Sequence, residues 1–278
     1  MRKPSLRISL TNLCNYACVF CKGDFQEVKH SQEGGKFTAH DLDLDYVKSV
    51  VDAFEKRNPQ ATVHLSGGEP LLYKDLKKAI EHAAGKDLRC EVTTNGSLLH
   101  NLDSHIEKLN AVNISLHSVD EEYYKYVTGT RKNFVAIVLD NIEKYRNRVD
   151  FQANCVYMAD EKQDIEVLLG YCNERNILIK VMNDMGRDDA YFEGYLSKME
   201  QLRQSFDFSF TDRRNPEGYP CHECPLNKNC VSCKSIWLLN SGEISSCPRL
   251  HDQNIYSVDA TWGLEEKMDF AFRFYKTN

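Results

Sequence analysis

Along residues 5–182, short apolar runs alternate with longer stretches whose apolar residues recur at helical spacing. Residues 6–10, 62–65, 89–93, 112–116, 151–158 and 177–182 read as strands. Between them, 42–56 places Leu42, Leu44, Val47, Val50, Val51 and Phe54 on one helical face. Residues 76–84, 102–109, 121–127, 134–145 and 162–172 also read as helices. Ser66-Gly67-Gly68 closes the second strand, and Asn95-Gly96 marks a turn after the third. Six βα units predict an α/β fold, a parallel sheet with helices packed outside. Six are too few to close an eight-stranded barrel, so an open, partial (β/α)6 barrel is expected. In such sheets the chemistry sits at the carboxyl ends of the strands. Residues 190–206 read as a further helix, 211–220 as a polar connector and 264–274 as a closing helix. The expected organisation is a barrel over 1–186, a helix and connector over 187–220, and a small cysteine-rich region over 221–278.

The composition fits a soluble globular protein. The 278 residues are 42% hydrophobic and 27% charged, with a net charge of −6. No apolar run approaches the roughly 18–20 residues that span a bilayer. The first ten residues alternate charged and apolar groups without a signal-peptide core, so a cytoplasmic location and no membrane partner are expected. A mildly acidic chain offers no broad basic face, which argues against a nucleic-acid partner. Eleven cysteines in a reducing compartment read as metal ligands or catalytic groups rather than disulfides. They fall into two clusters, with Cys90, Cys155 and Cys172 standing apart and read as buried core residues.

The first cluster is Cys14, Cys18 and Cys21, spaced C-x3-C-x2-C on the loop after the first strand. Three thiolates here suit an iron–sulfur cubane, which needs one ligand per iron and so keeps one iron open for a substrate or cofactor. Zinc is the competing metal, but it favours C-x-x-C pairs and a fourth protein ligand, and none follows before His30. The acidic run Asp41, Asp43, Asp45 starts a helix, where carboxylates favour the dipole.

This spacing, with Phe20 just before the last cysteine, resembles the radical S-adenosylmethionine (SAM) superfamily. The resemblance implies a 4Fe–4S cluster whose open iron chelates SAM. It also implies reductive cleavage of SAM to a 5′-deoxyadenosyl radical that abstracts a substrate hydrogen. Gly67-Gly68-Glu69-Pro70 follows the second strand, where the superfamily binds the methionine end of SAM. Thr94 and Asn95 follow the third strand, Ser115 ends the fourth and Asn154 lies on the fifth, positions that line the SAM ribose and adenine in that superfamily.

The second cluster, Cys221, Cys224, Cys230, Cys233 and Cys247, has the spacing C-x2-C-x5-C-x2-C-x13-C. Two close C-x-x-C pairs point to a metal site. Zinc suits four thiolates; a fifth cysteine beside a radical SAM core favours a second, auxiliary 4Fe–4S cluster, with His222 as an alternative ligand. Residues 236–239 and Ile244 flank Asn240-Ser241-Gly242 and predict a β-hairpin. From about Leu6 to Cys247 the chain is similar to the GTP 3′,8-cyclase family of molybdenum-cofactor biosynthesis. Shared stretches include Leu6-Arg7-Ile8-Ser9, Gly67-Gly68-Glu69-Pro70-Leu71-Leu72 and Asn113-Ile114-Ser115-Leu116. The cysteine-rich region also resembles the twitch and SPASM modules of radical SAM peptide maturases.

The departures bear on substrate. Where the cyclase hairpin carries an Arg-x-Arg that holds the nucleotide, this chain has Ser235 and Trp237. Neither replaces the bidentate contacts of arginine. Tyr73 stands at a position usually basic in that family, and Cys221 and Cys224 are additional. Arg7 matches a substrate-side arginine of the cyclase. Arg7, Tyr73, His117, Lys180, Asn183, Asp184 and Trp237 are the candidate substrate contacts, and His64 reads as packing. The expected function is a radical SAM enzyme acting on a small molecule, nucleotide or peptide. An electron donor such as flavodoxin or ferredoxin is implied. The alternatives are the GTP cyclase itself, a peptide maturase, or a non-enzymatic zinc or iron–sulfur sensor, for which the Gly67–Pro70 stretch has no use.

Overall fold

The computed structural model describes residues 4–21, 29–30, 40–184, 187–211, 235–245 and 262–277. The five cysteines from Cys221 to Cys247, and His222, lie outside the described residues. The chain runs β1 (Ser5–Ser9), β2 (Leu13–Cys14), β3 (Lys29–His30), α1 (Leu44–Arg57), β4 (Thr62–Ser66), α2 (Leu76–Ala84) and β5 (Arg89–Thr94). It continues through β6 (Ala111–Ser115), α3 (Glu121–Thr128), α4 (Phe134–Tyr145), β7 (Asp150–Tyr157), α5 (Ile165–Glu174) and β8 (Leu178–Asn183). The last described elements are α6 (Asp189–Leu202), β9 (Ser209–Phe210), β10 (Ser235–Leu238), β11 (Ile244–Ser245) and α7 (Leu264–Thr277).

One nine-stranded sheet has the order β11-β10-β1-β4-β5-β6-β7-β8-β9, and every pairing is parallel except β10 with β11. The six expected strands are its centre and form the partial barrel. β10 extends it beyond β1, and β9 beyond β8, so the 235–245 hairpin joins the barrel sheet itself. Gly242 makes the hairpin turn at φ +86°. Helix starts follow the expected chemistry: Asp43, Asp120, Asn133 and Asp164 each accept a backbone N–H from the first turn of α1, α3, α4 and α5. The helix expected over 102–109 is instead two 3-10 turns, Leu99–Leu102 and Ile106–Lys108. Asn101, Asp103 and Ser104 interrupt the run, and such side chains compete for backbone hydrogen bonds.

Register decides which residues share a face. Leu6, Ile8, Val63, Leu65, Val92 and Val112 are fully buried on the face that the helices cover. Each such burial contributes about 1.5–3 kcal/mol. Cys90 and Cys155 lie on that face too and, with Cys172, are buried unpaired thiols as expected. The opposite face is polar. Arg7 is aligned with Trp237 on one side and His64 on the other, and His64 with Glu91. Ser115, Asn154 and Lys180 form a second aligned row. Parallel strands are ordinarily apolar on both faces; here the alternation leaves polar side chains along the inner face of the barrel.

Candidate functional site

The cysteine loop crosses the carboxyl ends of the strands and is tied there by backbone hydrogen bonds. Gly68 N–H donates to Thr11 O at 2.8 Å and Glu69 N–H to Leu13 O at 2.7 Å. From the other side, Ala17 N–H donates to Thr128 O and Val19 N–H to Val127 O, both at 3.0 Å. Two glycines make this approach possible. A Cβ on Gly68 would stand 2.2 Å from Leu13 O; one on Gly129, which ends α3 at φ +62°, would stand 2.3 Å from Ala17 O. Tyr16 anchors the loop in the core, its ring 5.3 Å from Phe134 and edge-on to Tyr124. The glycines after β4 therefore serve the cysteine loop directly.

Glu69 is only 1% exposed. Its carboxylate accepts from Thr94 Oγ1 at 2.6 Å, Asn95 N–H at 2.8 Å and Leu71 N–H at 3.1 Å. Burial pushes its carboxyl up to about 7 against the pull of those donors. Asn95 continues the network: its Nδ2 donates to Asn15 Oδ1, whose own amide donates to Ser97 Oγ. The loops after β1, β4 and β5 are thus one hydrogen-bonded unit, with Pro70 buried at its edge. Phe20 lies edge-on to His117 with ring centroids 4.6 Å apart. His117 is buried, its Nδ1 accepts from Val156 N–H at 3.1 Å, and burial pushes it down to about 4.

The three thiols share one electrostatic neighbourhood. Burial, with Glu69 and Cys21 adding negative charge, pushes the Cys14 thiol up to about 12. Burial, then Cys14 and Cys21, likewise pushes Cys18 up. Such thiols stay protonated unless a cation takes the thiolate. Among the described residues no three His, Cys, Asp or Glu side chains converge as ligands of one ion. A cubane instead asks for thiolates spread around separate irons.

The candidate substrate contacts divide. Arg7, Lys180 and Trp237 lie on the polar face with Ser115 and Asn154. Arg7 Nε donates to Ser235 Oγ at 3.3 Å and its guanidinium lies 5.4 Å over the Trp237 ring. Burial lowers the Arg7 pKa while Glu91 opposes that shift. Trp237 Nε1 is buried without a partner among the described residues. The others stand elsewhere. Tyr73 is in the core with its hydroxyl donating to Leu42 O at 2.8 Å. Asn183 has the register of the helix-covered face, where its Oδ1 accepts from Thr211 Oγ1 at 2.7 Å. Asp184 is buried, with its N–H donating to Tyr191 Oη at 2.8 Å. His117 supports Phe20 and the β7 backbone. Sequence reasoning missed Glu91 and Asn113 and read His64 as packing. The signal was the strict alternation in Arg7-Ile8-Ser9, Val63-His64-Leu65 and Cys90-Glu91-Val92. A cleft of about 1080 Å³ between α3, the β7–α5 loop and α6 contains none of these residues.

A family model described as the radical SAM superfamily matches residues 8–172. The chain is 35% identical over 269 residues to a probable GTP 3′,8-cyclase of Thermococcus kodakarensis, covering 87% of this chain and 84% of that relative. It is 27% identical over 297 residues to one from Sulfolobus acidocaldarius, covering 98% and 90%. Among solved structures it is similar to Streptococcus suis SuiB bound to S-adenosylmethionine, with TM-score 0.69 and 16% identity over 93% of this chain. SuiB bound to its precursor peptide SuiA gives TM-score 0.71 and 16% identity over 99% of this chain. The chain spans 63% and 66% of the SuiB chains, and at this identity the likeness is one of fold.

Proposed function

Since the chain belongs to the radical SAM superfamily, we propose that it holds SAM over a 4Fe–4S cluster on Cys14, Cys18 and Cys21, and works on a substrate docked against the polar barrel face. When bound, that pair supplies reductive SAM cleavage and hydrogen-atom abstraction. The rest falls to the chain. Glu69, Thr94 and Asn95 lock three loops together and so fix the backbone of Gly67, Gly68 and Pro70 beside the cysteines. Ser115 and Asn154 face the same side and suit the ribose and adenine of SAM, and Phe20 covers it. Arg7, Lys180 and Trp237 suit substrate polar groups. A second 4Fe–4S cluster is assigned to Cys221, Cys224, Cys230, Cys233 and Cys247 on their spacing alone. An electron donor of the flavodoxin or ferredoxin type completes the scheme, in the cytoplasm. Among the described residues no helix is long and apolar enough to cross a membrane.

The observation that carries this reading is the cysteine loop, pinned by Gly68 and Gly129 across the strand ends above a polar face. Anaerobic reconstitution tests it. The expected product is brown protein with about eight irons per chain if both clusters form. SAM and dithionite should then release 5′-deoxyadenosine. Colourless protein holding only zinc overturns the reading.

The 35% identity to the Thermococcus relative favours a second reading, GTP cyclisation. Ser235 and Trp237 beside Arg7 weigh against it, since a triphosphate asks for several cationic donors. Conversion of GTP to a cyclised nucleotide by the reconstituted enzyme decides between them.

A further inference from the structure

We propose that the cleft between α3, the β7–α5 loop and α6 docks a basic peptide segment, whose lysine or arginine side chains sit among its carboxylates and tyrosines. The cleft holds six carboxylates against two lysines, an excess of four in a chain whose net charge is −6. Several of the carboxylates also serve the local fold. Asp120 and Asp164 cap α3 and α5, and Asp160 accepts from Lys162 N–H at 2.9 Å. Glu122 pairs with Lys125 and Glu166 with Lys198, both at 3.0 Å, yet these two carboxylate side chains remain 82% and 56% exposed. Glu161 is exposed as well. A capping or surface-paired carboxylate keeps its charge, so the walls attract cations.

Tyr123 points to a ligand independently of the charge. It lines the same cleft and is 4% exposed, and its enclosed hydroxyl has no hydrogen-bond partner among the described residues. Buried polar groups are ordinarily satisfied. Burial, with Asp160 and Tyr126 adding to it, pushes this phenol up, so it stays neutral. A neutral phenol oxygen accepts from an ammonium or guanidinium N–H. Tyr126 packs against Tyr123 with ring centroids 5.8 Å apart and is itself 58% exposed. An exposed tyrosine face beside carboxylates adds cation–π attraction for the same ligand.

The lining selects the occupant. An inorganic cation asks several oxygens to converge on one point, and among the described residues no three His, Cys, Asp or Glu side chains do so. Charges spread along α3, the β7–α5 loop and α5 suit cations spaced along a chain. At about 1080 Å³ the cleft exceeds the roughly 300–1,000 Å³ of ordinary small-molecule sites, which are also mainly apolar. Its place matters too. Asp120 follows β6 and Tyr157 ends β7, so the cleft lies at the carboxyl ends of the strands. Its Gln163 donates to His117 O at 3.1 Å, and the His117 ring touches Phe20 of the cysteine loop. A segment seated here therefore lies close to that loop, and the docking site stands whether or not the radical chemistry does.

Isothermal titration of the full, iron-free chain tests this, so the result is independent of cluster assembly and SAM cleavage. The probes are a synthetic peptide of alternating lysine and glycine, its glutamate–glycine counterpart, and spermidine. The lysine peptide should bind, at least tenfold more tightly than spermidine, and the glutamate peptide should give no heat. Tyr123→Phe, which removes only the unpartnered hydroxyl, should weaken the lysine peptide about fivefold. Glu161→Gln combined with Tyr126→Ala should weaken it more than tenfold, with far-UV circular dichroism unchanged. Asp140→Asn removes one charge from the exposed side of α4, outside the cleft, and should leave binding as it was. Absence of lysine-peptide binding, or losses in Asp140→Asn equal to those in the cleft variants, overturns the proposal. Spermidine binding as tightly as the peptide also overturns it, in favour of a free polyamine.

Discussion

Glu69 and His117 are two fully enclosed titratable residues whose pKa values move in opposite directions. Each therefore leaves an opposite mark on stability. Glu69 is raised from 4.5 to about 7, so it binds more protons folded than unfolded. Its contribution is fully present below pH 4.5 and is lost as pH rises through 7. His117 is lowered from 6.5 to about 4, so its contribution is present above pH 6.5 and is lost as pH falls toward 4. Each is worth about 3 kcal/mol at most, and together they nearly cancel between pH 5 and 7. The variants should separate them in urea titrations of the iron-free chain. Glu69→Gln keeps only the His117 slope and loses stability as the solution is acidified. His117→Gln keeps only the Glu69 slope and loses stability toward pH 8. Glu69→Gln should also cost about 1–3 kcal/mol, because an amide cannot satisfy the Thr94, Asn95 and Leu71 donors together. Parallel pH profiles in both variants would contradict these assignments.

At the scale of elements, the cysteine loop depends on what approaches it. The loop after β4 and the end of α3 grip it from two sides through main-chain bonds. Gly68→Ala puts a Cβ into Leu13 O, and backbone on both sides leaves little room to yield. We expect a loss of about 2 kcal/mol and weaker iron retention, with far-UV circular dichroism unchanged. Gly170, in α5 with open space around its Cβ, is the control. Gly170→Ala should hold iron normally and gain about 0.5–1 kcal/mol. Equal iron retention in both variants would remove the packing role given to Gly68. The helices themselves were legible because their apolar stripes and Asp or Asn caps repeat a simple period. The 99–108 segment was not, since its leucines kept helical spacing while Asn101, Asp103 and Ser104 drew the backbone into two tight turns.

At the scale of the molecule, the barrel edge sets what the polar face can hold. β10 pairs with β1, so Ser235 and Trp237 occupy face positions beside Ser5 and Arg7, and Ser5 and Ser235 are 2.8 Å apart through their hydroxyls. Replacing both with arginine restores the pair that the cyclase family uses. Isothermal titration should then show GTP affinity at least tenfold higher than in the unaltered chain; no gain would mean that this edge does not select substrate. The sequence by itself determined the βα order, the cysteine loop and its companion Gly-Gly-Glu-Pro, because these are local patterns written in spacing and period. It also showed Arg7, Ser235 and Trp237 as individual positions. Only the tertiary structure decided that these residues share one face, that His64 and Glu91 belong there, and that Asn183 and Tyr73 do not. Strand register turns a one-residue offset into the opposite side of a sheet, and that register is set by pairing between strands far apart in the chain.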